Sequence, residues 1–313
     1  MSLNQAVEFP VRPYYRQSCG AAYLGDSLEL MQRLPDKSIN LILTSPPFAL
    51  TRKKEYGNKS AEEYVEWFMS FAHQFKRLLQ DDGSLVIDLG GAYLPGHPVR
   101  AIYQFELLVR LCKELGFFLA QEFYHYNPSR LPSPAEWVTV RRIRVKDSVN
   151  VVWWLSVTEY PKADNRRVLK PYSESMKQLL KNGYKAKLRP SGHDISDKFQ
   201  KDNNGAIPPN LLELANTGSN SPYLRRCKEA GIRPHPARFP VDFADFFIRF
   251  LTEKQDVVLD PFAGSNTTGH AAEGLGRNWL AFEIDETYLQ GSLYRFEEVN
   301  DLLSTRNDDA SAI

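Results

Sequence analysis

Apolar and polar residues alternate along the chain in blocks that predict strands and helices in turn. Short apolar runs such as Leu41 to Leu43 and Val257 to Leu259 have the length and composition of strands buried on both faces. A longer stretch with apolar residues at helical spacing follows a capping-box pattern that starts at Ser60. Because such blocks alternate through most of the chain, we predict an α/β fold with a doubly wound, largely parallel sheet.

Turn and capping residues give the boundaries of these elements. We predict strands at residues 22–24, 41–43, 84–89, 117–125, 149–155, 256–260 and 278–283, and helices at 27–34, 60–79, 99–115, 240–251, 267–275 and 286–303. We predict an irregular arm at residues 1–20 and a basic loop at 49–60.

Residues 176–232 interrupt the regular pattern. This segment has little periodicity, is rich in Asn, Gly, Ser and Pro, and has five more basic than acidic side chains. The whole chain has a net charge of only +1, so a nucleic-acid surface would have to be local. The segment is a candidate for such a surface, and a solvated insertion is the alternative.

Composition narrows the class of protein. The chain has 313 residues, of which 42% are hydrophobic, and this is enough for a sizeable core. Cys19, Cys112 and Cys227 are widely separated, which fits neither a disulfide framework nor a zinc site, and His193 and His235 have no partner at ligand spacing. No run resembles a membrane span or a signal peptide. We therefore expect a cytoplasmic protein that binds no metal.

The turn after the second predicted strand is the first candidate site. There the chain reads Thr44-Ser45-Pro46-Pro47-Phe48, and residues 45–48 are called the SPPF turn below. Two prolines can neither donate to a sheet nor continue into a helix, so the strand ends in a stiff turn. Open α/β sheets bind ligands at this edge. The Ser45 hydroxyl and the turn carbonyls can accept from an amine while Phe48 stacks on a planar ring; a structural turn with a core phenylalanine is the alternative.

A second candidate site begins where the predicted strand 256–260 ends. Asp260 precedes a loop in which Gly264 permits close approach of a ligand, and a helix N-terminus follows. Glu283 ends the next strand, where an acid can accept from both hydroxyls of a ribose. The loop lacks the glycine spacing of dinucleotide and Walker sites, and Asp260 would repel a pyrophosphate. An acid there suits an ammonium, which points to S-adenosylmethionine; a plain strand-to-helix turn is the alternative.

Two motifs in this order resemble those of the beta-class DNA amino-methyltransferases of restriction–modification systems. They are the SPPF turn and residues 260–269 (DPFAGSNTTG), and the similarity extends to HPARFP at 235–240 and covers nearly the whole chain. In that family the catalytic half precedes the cofactor half, which is a permuted order. One departure is Asn266, where many members have glycine. Asparagine also tolerates left-handed backbone angles, so we expect an intact loop.

The resemblance implies a Rossmann-like fold that depends on S-adenosylmethionine, with an inserted target-recognition region. The catalytic half would be residues 1–175, the target-recognition region 176–232 and the cofactor half 233–313 of the same methyltransferase domain. The SPPF turn (Ser45, Pro46, Pro47 and Phe48) would bind the target base. The cofactor side would consist of Asp26, Phe239, Asp260, Pro261, Phe262, Ala263, Gly264, Ser265, Thr267, Thr268, Glu283 and Ile284.

The resemblance also implies a duplex DNA substrate. A stacked base cannot reach the reaction centre, so the target would be flipped out. Arg141, Arg142 and Arg144 and the basic middle segment would contact phosphates. Trp153 would close the base pocket; the alternatives are that Trp154 does so, or that both tryptophans lie in the core.

We predict a methyltransferase that modifies the N4 amine of cytosine in duplex DNA, because the serine form of the proline turn is usual in the N4-cytosine enzymes of the family. Methylation of adenine N6 is the nearest alternative. RNA or protein acceptors and a DNA-binding protein with an inactive fold are more distant ones. We further expect a cognate restriction endonuclease, a monomeric or homodimeric state, and a location at the nucleoid through binding to DNA.

Overall fold

The computed structural model describes residues 9–49, 60–183, 201–215 and 221–296. The strands in these ranges are β1 (Tyr15–Arg16), β2 (Gly20–Leu24), β3 (Ile39–Thr44), β4 (Leu79–Leu89), β5 (Phe118–Tyr126), β6 (Val149–Ser156), β7 (Leu211–Glu213), β8 (Val257–Asp260) and β9 (Asn278–Glu283). The helices are α1 (Ser27–Gln32), α2 (Ala61–Leu78), α3 (Tyr103–Lys113), α4 (Glu174–Asn182), α5 (Pro222–Glu229), α6 (Val241–Leu251), α7 (Thr267–Gly274) and α8 (Glu286–Ser292). A π-helical turn (Glu136–Val140) and two 3-10 turns (Asn165–Val168 and Leu293–Arg295) are also present.

The described strands form one mixed sheet in the order β1-β2-β9-β8-β3-β4-β6-β5-β7. Neighbours from β2 to β4 run parallel, and β6 lies antiparallel between β4 and β5. The carboxyl ends of β9, β8, β3, β4 and β5 therefore lie at one edge of the sheet. The amino end of β6 lies at the same edge, because β6 runs the opposite way.

Helices cover both faces of the sheet, as the alternation of buried side chains requires. Trp153 of β6 belongs to the core that α2 and α3 complete on one face, together with Phe68 and Leu107. Trp154 points to the other face, where its ring lies 5.1 Å from that of Phe250 in α6. The predicted doubly wound α/β fold is thus confirmed.

Several boundaries differ from the sequence prediction. The helix predicted at 99–115 spans only 103–113, because Tyr93 and Arg100 pair as an extended bridge before it. The predicted irregular arm contributes β1, which pairs with β2. Part of the helix predicted at 286–303, nearly all of the loop predicted at 49–60 and His193 lie outside the described residues.

The chain divides into two compact units, residues 1–163 with 210–313 and residues 164–209. The described part of the second unit contains α4 and a backbone pair between Lys170 and Ala206. The predicted target-recognition region, 176–232, overlaps this unit only in part, since α5 belongs to the first unit. The three-way division 1–175, 176–232 and 233–313 stays a prediction. Within the described ranges, no helix combines the length and apolar character needed to span a bilayer.

Candidate active site

A cavity of about 330 Å³ opens at the carboxyl edge of the sheet in the first unit. Its lining includes the whole SPPF turn after β3, residues 261–265 after β8, and Glu283 and Ile284 at the end of β9. Residues 235–239, which precede α6, form a further wall. The two candidate sites are more than 200 residues apart in the sequence, yet they share one cavity because β3 and β8 are neighbours in the sheet.

The SPPF turn presents acceptors to this cavity. The Ser45 hydroxyl donates to the backbone carbonyl of Asp88 at 3.2 Å, so its oxygen lone pairs remain available to an incoming N–H group. Phe48 is half-buried, and it packs against Gly90. A Cβ built on Gly90 would lie 2.4 Å from the Phe48 ring, so this glycine lets the ring approach the backbone directly after β4.

Asp260 has a different role from the one we expected. Its buried carboxylate accepts from Thr44 Oγ1 at 2.8 Å, Thr268 Oγ1 at 2.6 Å and the Phe262 N–H at 3.1 Å, and it does not line the cavity. Burial raises its pKa to about 6 although these three hydrogen bonds lower it. The expectation that Asp260 faces a bound ammonium is therefore corrected. The carboxylate joins the end of β3, one residue before the SPPF turn, to the loop after β8.

The loop after β8 keeps its tight shape with asparagine in place of glycine. Asn266 has φ 51° and ψ 46°, so the expected left-handed conformation is present. Its side-chain oxygen accepts from the Gly269 N–H at 3.0 Å and caps α7, while its amide donates to Tyr15 Oη at 2.9 Å. Asparagine thus supplies a cap and a tether that glycine cannot.

Glu283 is fixed in the cavity wall by backbone donors. Oε2 accepts from the Gly264 N–H at 2.7 Å and Oε1 accepts from the Asp285 N–H at 2.9 Å. Burial, the largest influence, raises its pKa. Each oxygen keeps a further acceptor position, which suits a pair of hydroxyl groups on a ligand. Beside it, Ile284 is 68% exposed although it is apolar, and it lines the cavity.

The other predicted cofactor residues divide into two groups. Phe239, Pro261, Phe262, Ala263, Ser265 and Thr267 line the cavity. Asp26 and Thr268 do not: Asp26 caps α1 through the Leu28 N–H, and Thr268 bonds to Asp260. A direct contact of these two side chains with the cofactor stays a prediction.

Trp153 does not close the cavity. It is 1% exposed and lies in the core. Trp154 is also buried, and its indole N–H donates to Ser84 Oγ at 2.9 Å. The alternative that both are core residues is right. Arg141, Arg142 and Arg144 lie on the surface outside the cavity lining; Arg141 pairs with Glu136 and Arg144 donates to the Pro98 carbonyl. Their contact with phosphates stays a prediction.

Sequence reasoning missed a polar wall opposite the cofactor loop. Asp88, His125, Asn127, Arg130 and Asn150 line the cavity from the ends of β4, β5 and β6 and the segment after β5. Asn150 was hidden because it lies near the start of its strand, and only the antiparallel direction of β6 brings it to this edge. A polar residue at the end of an apolar strand, as Asp88 is, was the available signal. In the described ranges, no three His, Cys, Asp or Glu side chains gather as a metal site would require.

The comparisons with known proteins agree with this geometry. The DNA methylase family model, N6_N4_Mtase, matches residues 39–294. The chain is 55% identical over 303 residues to the type II methyltransferase M.PvuII of Proteus hauseri, with 96% of this chain and 90% of that protein covered. It is 26% identical to the type II methyltransferase M.BglII of Bacillus subtilis, with 88% of this chain and 68% of that protein covered.

Among solved structures, the PvuII DNA methyltransferase (cytosine-N4-specific) superposes with a TM-score of 0.76 at 48% identity, and 94% of each chain is covered. The M1.HpyAVI–SAM complex has a TM-score of 0.51 at 19% identity over 88% of this chain and 98% of that one, which shows a shared fold. The family resemblance inferred from the SPPF turn and residues 260–269 is thereby confirmed. This chain belongs to the DNA methylase family.

Proposed function

We propose that this protein transfers the methyl group of S-adenosylmethionine to the N4 amine of a cytosine flipped out of duplex DNA. The observation that carries the proposal is the shared cavity, in which the amine-accepting SPPF turn lies beside the loop after β8 and Glu283. The high identity to a type II methyltransferase and to a cytosine-N4-specific enzyme supports the choice of base.

The cavity residues fit S-adenosylmethionine by their chemistry. Glu283 offers carboxylate acceptors to the ribose hydroxyls, and the exposed side chain of Ile284 offers an apolar surface to the adenine. Gly264 has φ +51°, and this conformation turns the backbone sharply at the cavity wall. The cofactor supplies a methyl group activated by its sulfonium charge.

The SPPF turn prepares the amine. The lone pair of an exocyclic amine is delocalised into the base ring, so the amine is a poor nucleophile. Acceptors at Ser45 Oγ and the Pro46 carbonyl favour a tetrahedral nitrogen and stabilise the positive charge that develops on it. Phe48, held against Gly90, fixes the plane of the base and thus the line of attack.

A base reaches this cavity only after it leaves the duplex, and the exposed basic residues Arg141, Arg142 and Arg144 are positioned by the surface loop before β6. We propose that they contact phosphates and that the protein acts in the cytoplasm on the nucleoid, as a partner of a restriction endonuclease with the same target site. DNA methylated by the enzyme would then resist that endonuclease.

The test is direct. The purified protein is incubated with unmethylated DNA and S-adenosylmethionine, the DNA is digested to nucleosides, and the products are identified by mass spectrometry. We expect N4-methylcytosine from the wild-type protein. The Ser45→Ala variant should form it at least about tenfold more slowly, because an acceptor for the amine is lost. Ser70→Ala, which changes an exposed serine of α2, is the matched control and should retain full activity.

N6-methyladenine in place of N4-methylcytosine would keep the cofactor and the SPPF turn but overturn the choice of base. If no methylated nucleoside forms although calorimetry shows that S-adenosylmethionine binds, the acceptor is not DNA and the proposal is wrong. Absence of cofactor binding would indicate an inactive fold.

A further inference from the structure

The polar wall of the cavity contains a buried histidine and aspartate whose polar atoms are unused. Asp88 is 3% exposed and His125 is 7% exposed, and both line the cavity. Asp88 Oδ1, His125 Nδ1 and His125 Nε2 have no hydrogen-bond partner within the described part of the chain. Buried polar atoms are nearly always paired, so three unpaired atoms on two adjacent side chains indicate a ligand.

The two side chains are close enough to influence each other. His125 Nδ1 lies 3.7 Å from Asp88 Oδ2, which is longer than a hydrogen bond but within range of a charge interaction. One face of the imidazole packs against the Phe243 ring of α6, with the ring centres 5.2 Å apart. The ring is therefore held in place, and at least one of its nitrogens carries a hydrogen that can be donated to a ligand.

The position of His125 in the sheet indicates which part of a bound base it would meet. β4 and β6 separate β5, which carries His125, from β3, which leads into the SPPF turn. At the usual strand spacing the two backbones are about 14 Å apart. His125 is thus set across the cavity from the turn that accepts the amine, and it would face the edge of the base opposite the amine rather than the amine itself.

We propose that His125, held beside Asp88, is a specificity-determining residue that donates a hydrogen bond to the carbonyl oxygen at ring position 2 of the target cytosine. The proposal rests on the cytosine methylation proposed above. It adds a residue that recognises the second functional group of the base, the carbonyl. Cytosine carries that carbonyl across the ring from its amine. Adenine has an amine next to a ring nitrogen as cytosine has, but it has no carbonyl. A donor at this position therefore favours cytosine and leaves itself unpaired against adenine.

The experiment compares two bases and four proteins on the target site mapped with the wild-type enzyme. Duplexes carry either cytosine or 2-thiocytosine at the methylated position, since sulfur is a much weaker acceptor than oxygen. The main variant is His125→Phe, which keeps an aromatic ring against Phe243 and removes both ring nitrogens. His125→Gln retains an N–H donor. Single-turnover rates are measured with excess enzyme and saturating S-adenosylmethionine, whose binding is checked by calorimetry.

We expect the wild-type protein to prefer cytosine over 2-thiocytosine by about tenfold or more, and His125→Phe to show a preference of less than about threefold. His125→Gln should recover part of the preference. His73→Ala, at an exposed histidine of α2, is the control and should keep the wild-type ratio. A structural role of His125 would instead lower both rates equally and leave the ratio unchanged.

An unchanged ratio in His125→Phe, with cytosine still methylated by the wild-type enzyme, overturns the proposal without touching the proposed function. A wild-type enzyme that forms no N4-methylcytosine overturns the proposed function itself. If His125→Phe does not fold, two measurements on His125→Gln replace it: the ratio of the rates on cytosine and 2-thiocytosine, and the rate on a duplex with adenine at the target position. If His125 recognises the carbonyl as a donor, His125→Gln must discriminate against adenine less strongly than the wild-type enzyme does.

Discussion

Gly90→Ala tests whether the packing of Phe48 on Gly90, the residue after β4, fixes the target base. The added Cβ would lie 2.4 Å and 2.6 Å from two ring carbons of Phe48, and ordinary contact begins near 3.4 Å. The ring must therefore move by about 1 Å, a displacement that can cost on the order of 100-fold in rate when it misaligns a reacting group. We expect the single-turnover rate of cytosine methylation to fall by about 100-fold, equivalent to about 2.7 kcal/mol in the activation free energy.

The assay separates this effect from general damage. The affinity for S-adenosylmethionine, measured by calorimetry, should change by less than about twofold, since Gly90 is not among the residues that line the cavity. Gly274→Ala is the matched control, because a Cβ on this glycine of α7 meets nothing within 4 Å. It should retain full activity.

A double-variant cycle provides the decisive comparison. In a Phe48→Ala background there is no ring to displace, so Gly90→Ala should cause no further loss of rate. A full-rate Gly90→Ala enzyme, or an equal loss with and without the Phe48 ring, would refute the reasoning.

Three further predictions concern the loop after β8 and the two carboxylates, Asp260 and Glu283, that accept from its N–H groups. Burial raises the pKa of Asp260 in the folded protein to about 6. Above that pH the buried charge lowers the free energy of unfolding, and this loss disappears below about pH 4, the pKa of the same group in the unfolded chain. Differential scanning calorimetry should show the wild-type protein gaining up to about 3 kcal/mol relative to Asp260→Asn as the pH falls from about 7 to 4; a constant difference would contradict this. Glu283→Gln should weaken S-adenosylmethionine binding about tenfold in calorimetry, since a charged acceptor becomes neutral; unchanged affinity would exclude a ribose contact. Asn266→Ala should lose about 2 kcal/mol in urea denaturation and Asn266→Gly less, because only alanine is strained at φ 51°; equal losses would mean that the cap alone matters.

The order of elements was readable from the sequence because local rules govern it. The capping box at Ser60, for example, is present with both of its hydrogen bonds, and the two prolines after Thr44 end β3 as they must. The pairing of the SPPF turn with the loop after β8 was inferred from a family resemblance, and adjacency of β3 and β8 explains it.

The incorrect predictions share a cause: the sequence of a strand does not show which strands lie beside it or in which direction they run. Trp153 and Asn150 belong to the same strand, and either could reach the cavity until the direction of β6 is known. The side chain of Asp260 could face a ligand or the protein, and only the hydroxyls of Thr44 and Thr268 decide between these. Long-range partners of this kind determine which polar residues are free for chemistry.

The hydrogen bond from Thr44 to Asp260 joins residues 216 positions apart. It couples the two halves of the site because β3 and β8 are neighbours in the sheet. The coupling does not depend on how the chain connects the two halves. A gene rearrangement that exchanges the order of the halves would preserve the bond wherever β8 still pairs with β3. The motif order of such an enzyme can therefore drift during evolution while its reaction centre stays the same.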